Sequence, residues 1–348
     1  MVPSSQINIF TLLHFLGLSS AFLAIIFVVN NFLIFGFGAP GVISTLDLAD
    51  SFGVEMTRQG YSMGLMIIGL LQTAAVAAAI AYAGWQTFYT RPLDTNSPDA
   101  GPLRRDAGLM DWLSAYLVRA AFWAVLTVGL ADAILSFLRV EDFHKIVFGD
   151  EGAAAIALSN MRGMYVHIPL IILSAFIALK EKSVSLIWLT LLVVVAEFLI
   201  VVARFIYGYE QTFMGDLVRF WYAALFLFAS AYTLKEDGHV RVDVLYASLT
   251  YKTRAKLNII GTVFFGIPLC WLILLRGMWG KASLINSPMF NFETSMSGFG
   301  MYVKYLMAAF LIIFALSMIF QFTAYLFQSL ANIKENVVEE TVAEEAVE

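Results

Sequence analysis

The chain has few charged residues and almost no cysteine. Charged residues make up 14% of its 348 positions and hydrophobic residues 60%, whereas soluble domains have about 25% charged residues and under half apolar ones. Six of the glutamates fall in the last fourteen positions, so the rest of the chain is nearly neutral. The chain has no strongly basic region of the kind that binds nucleic acid. The single cysteine, Cys270, excludes an internal disulfide and a cysteine-based metal site.

Motifs for catalysis and for cofactors are missing as well. The sequence has no HExxH, GxSxG or P-loop motif and no GxGxxG before a helix. Only two of its four histidines, His14 and His167, fall within long apolar runs, and at unlike depths. A haem held by two histidines needs ligands at matching depth on facing helices. We therefore expect no enzyme activity, no cofactor and no metal.

Long apolar runs are what the sequence has in abundance. About 20 apolar residues in a helix cross the hydrocarbon core of a membrane, and continuous runs favour helices over a β-barrel. The predicted fold class is all-α, a polytopic transmembrane helical bundle with about eight spans. The fourth predicted span is the shortest and contains Pro169. The predicted spans cover roughly residues 9–36, 62–88, 112–138, 164–180, 184–206, 213–234, 257–278 and 301–328.

Polar connections separate these spans and predict the topology. Residues 91–106 and 148–163 are predicted loops, and residues 180–183 form a predicted tight turn. The N-terminus lacks a basic region and a cleavage site, which indicates a retained first helix rather than a signal peptide. A small excess of Lys and Arg on one side, concentrated in residues 235–256, predicts that both termini are cytoplasmic. The glutamate-rich residues 333–348 are a predicted disordered tail.

The second span carries small residues at helical spacing, which allow close approach between helices. We predict that they form a packing face within the bundle. These residues are Ala74, Ala77, Ala78, Ala81 and Gly84.

Ionisable side chains inside spans are costly and need partners. Arg119 and Asp132 lie in the third span, and Glu197 lies near the midplane of the fifth. Because the fourth and fifth spans turn near residue 182, His167 and Glu197 are expected at similar depth. Such a pair could relay protons, form an ion site or fasten two helices as a neutral hydrogen-bonded pair, since burial disfavours the charged carboxylate. Arg119 is the rival partner for Glu197.

The most distinctive segment is AYTLKEDGHVRVDVLY, which follows the sixth span. Its Arg241 suits the phosphates of membrane lipids. Val242, Leu245 and Leu249 recur at about one helical turn, which predicts a short amphipathic helix in the membrane interface. On physical grounds alone this is a membrane-surface loop.

This segment resembles the hallmark of small permease subunits of the DctQ type in tripartite ATP-independent periplasmic (TRAP) transporters, and among them the mannitol/chloroaromatic branch. The resemblance covers roughly residues 184–332, and ARFIYG at 203–208 is similar to the end of the family's first helix. Asp216 stands where the family usually has Glu, and Ala308 and Ala309 stand where a Pro is common. The positions that match the family motif are His239, Val240, Arg241, Val242, Asp243, Asp216, Glu293, Ser295, Gly298 and Lys304.

The resemblance implies a function and an assembly. In this family the small subunit binds a large permease subunit, which carries the substrate and cation sites and moves like an elevator. A periplasmic solute-binding protein delivers the substrate, and an ion gradient drives transport. The chain is then expected to be a non-catalytic scaffold in the bacterial inner membrane for uptake of an organic acid or similar solute. Its HVRVD segment is expected to hold helix ends at the cytoplasmic face.

The resemblance also implies a division of the chain. Residues 1–183 form a predicted membrane extension of about four helices, residues 184–332 a DctQ-like domain of four helices, and residues 333–348 the tail. Asp216 is expected to cap the sixth helix and to pair with Arg204.

An autonomous secondary transporter or channel that uses Glu197, His167 and Arg119 is the alternative. Such proteins show internal repeats with interrupted helices in matching positions. Pro169 and Pro268 lie in the fourth and seventh spans, which do not correspond in a four-plus-four duplication. The sequence therefore favours the subunit interpretation.

Overall fold

The fold consists of helices throughout the part of the chain that the structure, a computed structural model, describes. That part comprises residues 8–46, 61–90, 101–182, 187–206, 208–209, 211–235, 246, 248–295 and 300–335. Within it, eight helices are long and apolar enough to cross a membrane, which confirms the predicted class and number of spans. They are α1 (Ile9–Phe37), α2 (Met63–Tyr89), α3 (Gly101–Val140), α4 (Ser159–Lys180), α5 (Ile187–Ile206), α6 (Thr212–Lys235), α7 (Tyr251–Gly277) and α8 (Lys304–Glu335). Short helices cover Val42–Thr45, His144–Ile156 and Asn286–Phe290.

Several helices begin earlier than their apolar runs indicate. α3 begins at Gly101 and α7 at Tyr251, so the loop predicted over 91–106 is wrong from residue 101 onward. Pro102 lies in the first turn of α3, where its missing N–H costs no intrahelical bond. The predicted connection 148–163 contains most of the helix His144–Ile156 and the start of α4. Hydropathy misses such ends because polar residues are tolerated in the helix beyond the hydrocarbon core.

The prolines of α4 and α7 lie directly after a wider, π-helical turn. Pro169 follows the π turn Gly163–His167 in α4, and Pro268 follows the π turn Thr262–Gly266 in α7. A proline ring clashes with the carbonyl one turn earlier and cannot donate to it. A π turn places an extra residue there and moves that carbonyl away. The fourth span therefore stays helical through Pro169.

Contacts divide the chain into two compact units. Unit one comprises Met1–Trp112, Gly238–Leu272 and Met318–Glu348, and unit two comprises Leu113–Asp237 and Ile273–Ser317. Three of the four boundaries between the units fall inside helices, namely α3, α7 and α8.

Unit one is held by close approaches between α1 and two later helices. Gly17 of α1 lies against the ring of Phe327 in α8, and a Cβ there would come within 2.7 Å of the ring. Trp271 of α7 donates its indole N–H to Ser20 Oγ of α1 at 2.8 Å. A glycine and a small hydroxyl residue on α1 thus admit two large aromatic side chains.

The small residues of α2 do not form the predicted packing face. The buried residues of α2 are Gly69, Gln72, Ala79, Ala83 and Thr87. Four of the five residues predicted to pack inside the bundle are exposed at the surface of the chain, namely Ala74, Ala77, Ala78 and Ala81. The close contact of α2 is at Gly69 instead. A Cβ at this position would collide with Pro40 and Thr45.

Unit two has an aromatic core between α3, α6 and α8. Phe220 of α6 packs on Phe310 of α8 with ring centroids 5.1 Å apart. Trp221 donates its indole N–H to the Val125 carbonyl of α3 at 3.3 Å. A Cβ on Gly129 would lie 2.6 Å from that indole nitrogen, so only glycine leaves room for Trp221.

We therefore predict that Gly129→Ala lowers stability by about 1–3 kcal/mol, the usual cost of overpacking. Gly108→Ala on the same helix is the matched control, because nothing lies within 4 Å of its Cβ position. That control should be neutral or gain up to about 1 kcal/mol from helix propensity. Thermal unfolding in detergent measures both, and equal melting temperatures for the two variants would contradict the packing described.

Candidate functional site

Asp132 is the centre of a buried polar cluster in unit two. It lies near the C-terminal end of α3 and is 0% exposed. Its Oδ1 accepts hydrogen bonds from Arg162 Nη1 at 2.9 Å and His167 Nε2 at 3.1 Å, and its Oδ2 accepts from the Tyr302 backbone N–H at 2.7 Å. Since the carboxylate only accepts, Nε2 carries a proton and donates it to Asp132, and Nδ1 is hydrogen-bonded to the Tyr305 hydroxyl at 2.8 Å. Arg162 and His167 come from α4, and Tyr305 comes from the first turn of α8. The Tyr302 peptide group lies just before that helix.

Two arginines enclose the ring of Tyr302. The Arg162 guanidinium lies 4.2 Å from the ring centroid and that of Arg139 lies 4.5 Å from it. Arg139 also donates to the Tyr302 hydroxyl and to the Gly300 carbonyl. Arg162 is 1% exposed and donates to Ser136 Oγ as well as to Asp132. A buried guanidinium needs such contacts because its desolvation is costly.

A second carboxylate, Asp216 of α6, holds the neighbouring peptide group. Its Oδ2 accepts from the Met301 backbone N–H at 3.1 Å. Its Oδ1 accepts from Ser295 Oγ at 3.2 Å and from Arg219 Nη1 at 3.4 Å. Two carboxylates from different helices thus bind two consecutive peptide groups immediately before α8.

The expected roles of Asp216 as a helix cap and as the partner of Arg204 are both wrong. α6 begins at Thr212, so Asp216 is beyond the first turn, where the free N–H groups lie. The cation beside it is Arg219, one turn further along the same helix. Its carboxylate faces the segment before α8 rather than its own helix end.

The structure brings the described family-motif residues together in two pairs. Ser295 bonds to Asp216, and Lys304 Nζ lies 2.9 Å from Glu293 Oε2 in a partly exposed ion pair. The positions His239, Val240, Arg241, Val242, Asp243 and Gly298 lie outside the described residues, as does most of the predicted amphipathic helix.

Glu197 and Arg119 do not join this cluster. Both ring nitrogens of His167 are taken by Asp132 and Tyr305, so the predicted His167–Glu197 pair is wrong. Glu197 is exposed at the surface of α5 and has no hydrogen-bond or ion-pair partner within the described chain. Arg119 has none there either, and its Nε is enclosed. A charge at the centre of a span costs about 2.5–3.5 kcal/mol on insertion scales.

One partner of Asp132, Arg162, could have been found from the sequence. Hydropathy places Arg162 in a connection, because the apolar run of the fourth span starts after it. An aspartate inside an apolar helix requires a cation or several donors. Arg162 is a basic residue that lies just before the apolar run of the next span. Nothing in the sequence singles out Tyr302 and Tyr305 among fourteen tyrosines.

Unit one contains a second buried histidine–aspartate pair, which sequence reasoning also missed. His14 of α1 is 0% exposed, and its Nε2 lies 2.9 Å from Asp106 Oδ2 of α3. Its Nδ1 lies 3.0 Å from Thr87 Oγ1 of α2. The imidazole therefore connects three helices. Asp106 fell in a predicted loop, which hid the pairing.

Neither cluster has the composition of a cofactor or metal site. Among the described residues, no group of three or more His, Cys, Asp or Glu could hold a metal ion. Unit two also contains a cavity of about 310 Å³ between α3, α4, α6 and α8. Its walls are apolar and include Ala120, Ala124 and Ala309, so it offers no group for chemistry. The buried polar residues are arranged to bind one another.

Comparison with protein families now assigns part of the chain. Residues 191–332 match the family model of tripartite ATP-independent periplasmic transporters, DctQ component. We call these matched residues the DctQ segment. The match confirms the family resemblance over nearly the whole of the predicted range. Searches of curated proteins and of solved structures found no match.

The DctQ segment contains one of the two carboxylate contacts entirely. Asp216, Ser295 and Met301 all lie within residues 191–332. The other contact joins the segment to the preceding chain, because Asp132 lies before the segment and Tyr302 within it.

We predict that Asp132→Asn destabilises the protein by about 3–5 kcal/mol, because it leaves Arg162 buried without a counter-charge. Replacing both residues with apolar side chains, Asp132→Leu with Arg162→Met, should recover part of this loss. Thermal unfolding in detergent and a double-mutant cycle measure the coupling.

The exposed Glu293–Lys304 pair provides the control for that experiment. Glu293→Gln should cost no more than about 1 kcal/mol, as exposed ion pairs do. Equal losses for Asp132→Asn and Glu293→Gln, or strictly additive effects of the two apolar replacements, would contradict the cluster.

Proposed function

We propose that the chain is the small permease subunit of a TRAP transporter and that it acts as a scaffold for the large permease subunit. The observation that carries the proposal is the DctQ match over residues 191–332. The polar clusters support a scaffolding role. Asp132, Arg162 and His167 bind one another and the residues at the start of α8, and Asp132 and Arg162 are fully or almost fully buried, as expected for groups that fasten helices.

In this proposal the chemistry of transport belongs to the partners. The large permease subunit carries the substrate and cation sites, and a periplasmic solute-binding protein delivers an organic acid or similar small solute. An ion gradient drives uptake. The chain lies in the inner membrane with both termini cytoplasmic, and its HVRVD segment meets lipid headgroups or assists assembly.

The division into an extension (1–183), a DctQ-like domain (184–332) and a tail (333–348) is part of the proposal. It is a division by sequence family. By contacts, unit two contains residues from both sides of the 183/184 boundary, and the Asp132–Tyr302 hydrogen bond crosses it. We infer that the last part of the extension, residues 113–183, folds together with the DctQ-like residues of unit two.

The contacts of His167 count against the alternative of an autonomous transporter. The hypothesis of an autonomous transporter requires Glu197, His167 and Arg119 to lie in one shared site. His167 is satisfied by Asp132 and Tyr305, while Glu197 and Arg119 have no partner within the described chain. A transport site would bring such groups together around a solute.

Co-expression with the large permease subunit of the same transporter tests the proposal. We expect stable 1:1 co-purification in mild detergent, lost when α5–α8 are deleted. Uptake into liposomes should require both subunits and the solute-binding protein. The chain purified alone is the control, and solute uptake by that preparation would overturn the proposal.

A further inference from the structure

The polar residues of α5 lie on one stripe. This helix reads IWLTLLVVVAEFLIVVARFI, and its polar residues are Thr190, Glu197 and Arg204. They are seven residues apart, which is close to two helical turns, so all three lie on the same face. Each of them is exposed at the surface of the chain. Three polar residues on one face of an otherwise apolar span form a regular seam.

The stripe is turned away from the chain's own packing. Val194 and Val201 lie on it between the polar residues and are 58% and 49% exposed. The buried residues of α5 are Leu189 and Ala196, and Ala196 is rotated by about 100° from Glu197. Within the described chain, Glu197 at the centre of the seam has no hydrogen-bond or ion-pair partner, and the two valines beside it are exposed.

Lipid is a poor cover for this face. Hydrocarbon tails accept Val194 and Val201, but they offer no donor to the Glu197 carboxylate at the centre of the span. Polar side chains in membrane helices hydrogen-bond across to neighbouring helices, and a seven-residue seam is the pattern along which two helices cross at a small angle. The cover is therefore another transmembrane helix with a hydrogen-bond donor or a basic side chain opposite Glu197.

A second copy of this chain matches the stripe less well. In a symmetric dimer through the stripe, Glu197 of one copy faces Glu197 of the other at the same depth. Two ionised carboxylates there repel each other, and such a pair forms only if one of them takes up a proton. The nearest basic residue on the stripe, Arg204, is about 10 Å further along the helix. A helix of a different protein can place a donor or a basic side chain opposite Glu197 without that requirement.

We propose that the Thr190–Glu197–Arg204 stripe of α5 is a docking surface for a transmembrane helix of the large permease subunit, which presents a donor or basic side chain to Glu197. This inference rests on the proposed function and adds to it the helix and the face that make the contact. α5 also contains the start of the DctQ segment.

Site-specific photocrosslinking in the co-expressed complex tests the surface directly. A photoreactive amino acid at Val194 or Val201 should crosslink to the large subunit. The same probe at Val195 or Leu199 is the control, since both are exposed on the other side of α5. Crosslinks from Val194 and Val201 to a second copy, to lipid only, or no more often than from the controls would overturn the docking surface.

Two pairs of substitutions test the energetics. Val194→Trp should reduce recovery of the large subunit, whereas Val195→Trp, the same change on the adjacent residue, should not. Glu197→Leu should reduce recovery about fivefold, which corresponds to about 1 kcal/mol. Glu197→Gln keeps an acceptor oxygen and should fall between Glu197→Leu and the unchanged protein. Gel filtration of each variant alone shows whether the chain itself still folds.

The outcomes separate the two proposals. If the unchanged subunits co-purify but all four variants do so equally well, the docking surface is wrong and the proposed function stands. If the unchanged subunits do not co-purify, the proposed function fails and takes the docking surface with it.

Discussion

Two carboxylates hold the chain where it enters its last span. Asp132 of α3 accepts from the Tyr302 N–H and Asp216 of α6 accepts from the Met301 N–H. Peptide groups at the edge of a membrane need partners within the protein, because the hydrocarbon supplies none. Negative charge is also favourable near the N-terminus of a helix such as α8. The position at which α8 enters unit two is thereby fixed by two other helices at once.

The surrounding cations make this arrangement possible. A buried carboxylate without counter-charge would be strongly destabilising, and Arg162 and Arg219 supply that charge to Asp132 and Asp216. Tyr302 lies between Arg139 and Arg162 and so connects the charges to the segment they secure. The carboxylate, the guanidinium and the imidazole of the cluster each bind another part of the same chain. Such a cluster fastens helices to one another.

Hydropathy predicted the number of spans and the bounds of α5 and α6 to within a few residues, because apolar length is the physical requirement for crossing a membrane. It could not predict the rotation of a helix about its axis. The depth argument gave His167 a partner on α5, but its ring faces α3 and α8. For the same reason, Ala74 and Ala78 were predicted to pack inside the bundle, whereas they are exposed on α2. The family motif identified Asp216 and Ser295, but their contact depends on the tertiary fold.

Asp132 and Glu197 show two different outcomes for an acidic residue in an apolar helix. The physical demand is the same for both, since hydrocarbon cannot solvate a carboxylate. Asp132 meets it inside the chain with three donors. Glu197 faces outward, on a stripe with Thr190 and Arg204, and the described chain offers it none. The outward orientation of Glu197 therefore agrees with the proposal that a helix of another protein packs on this face of α5.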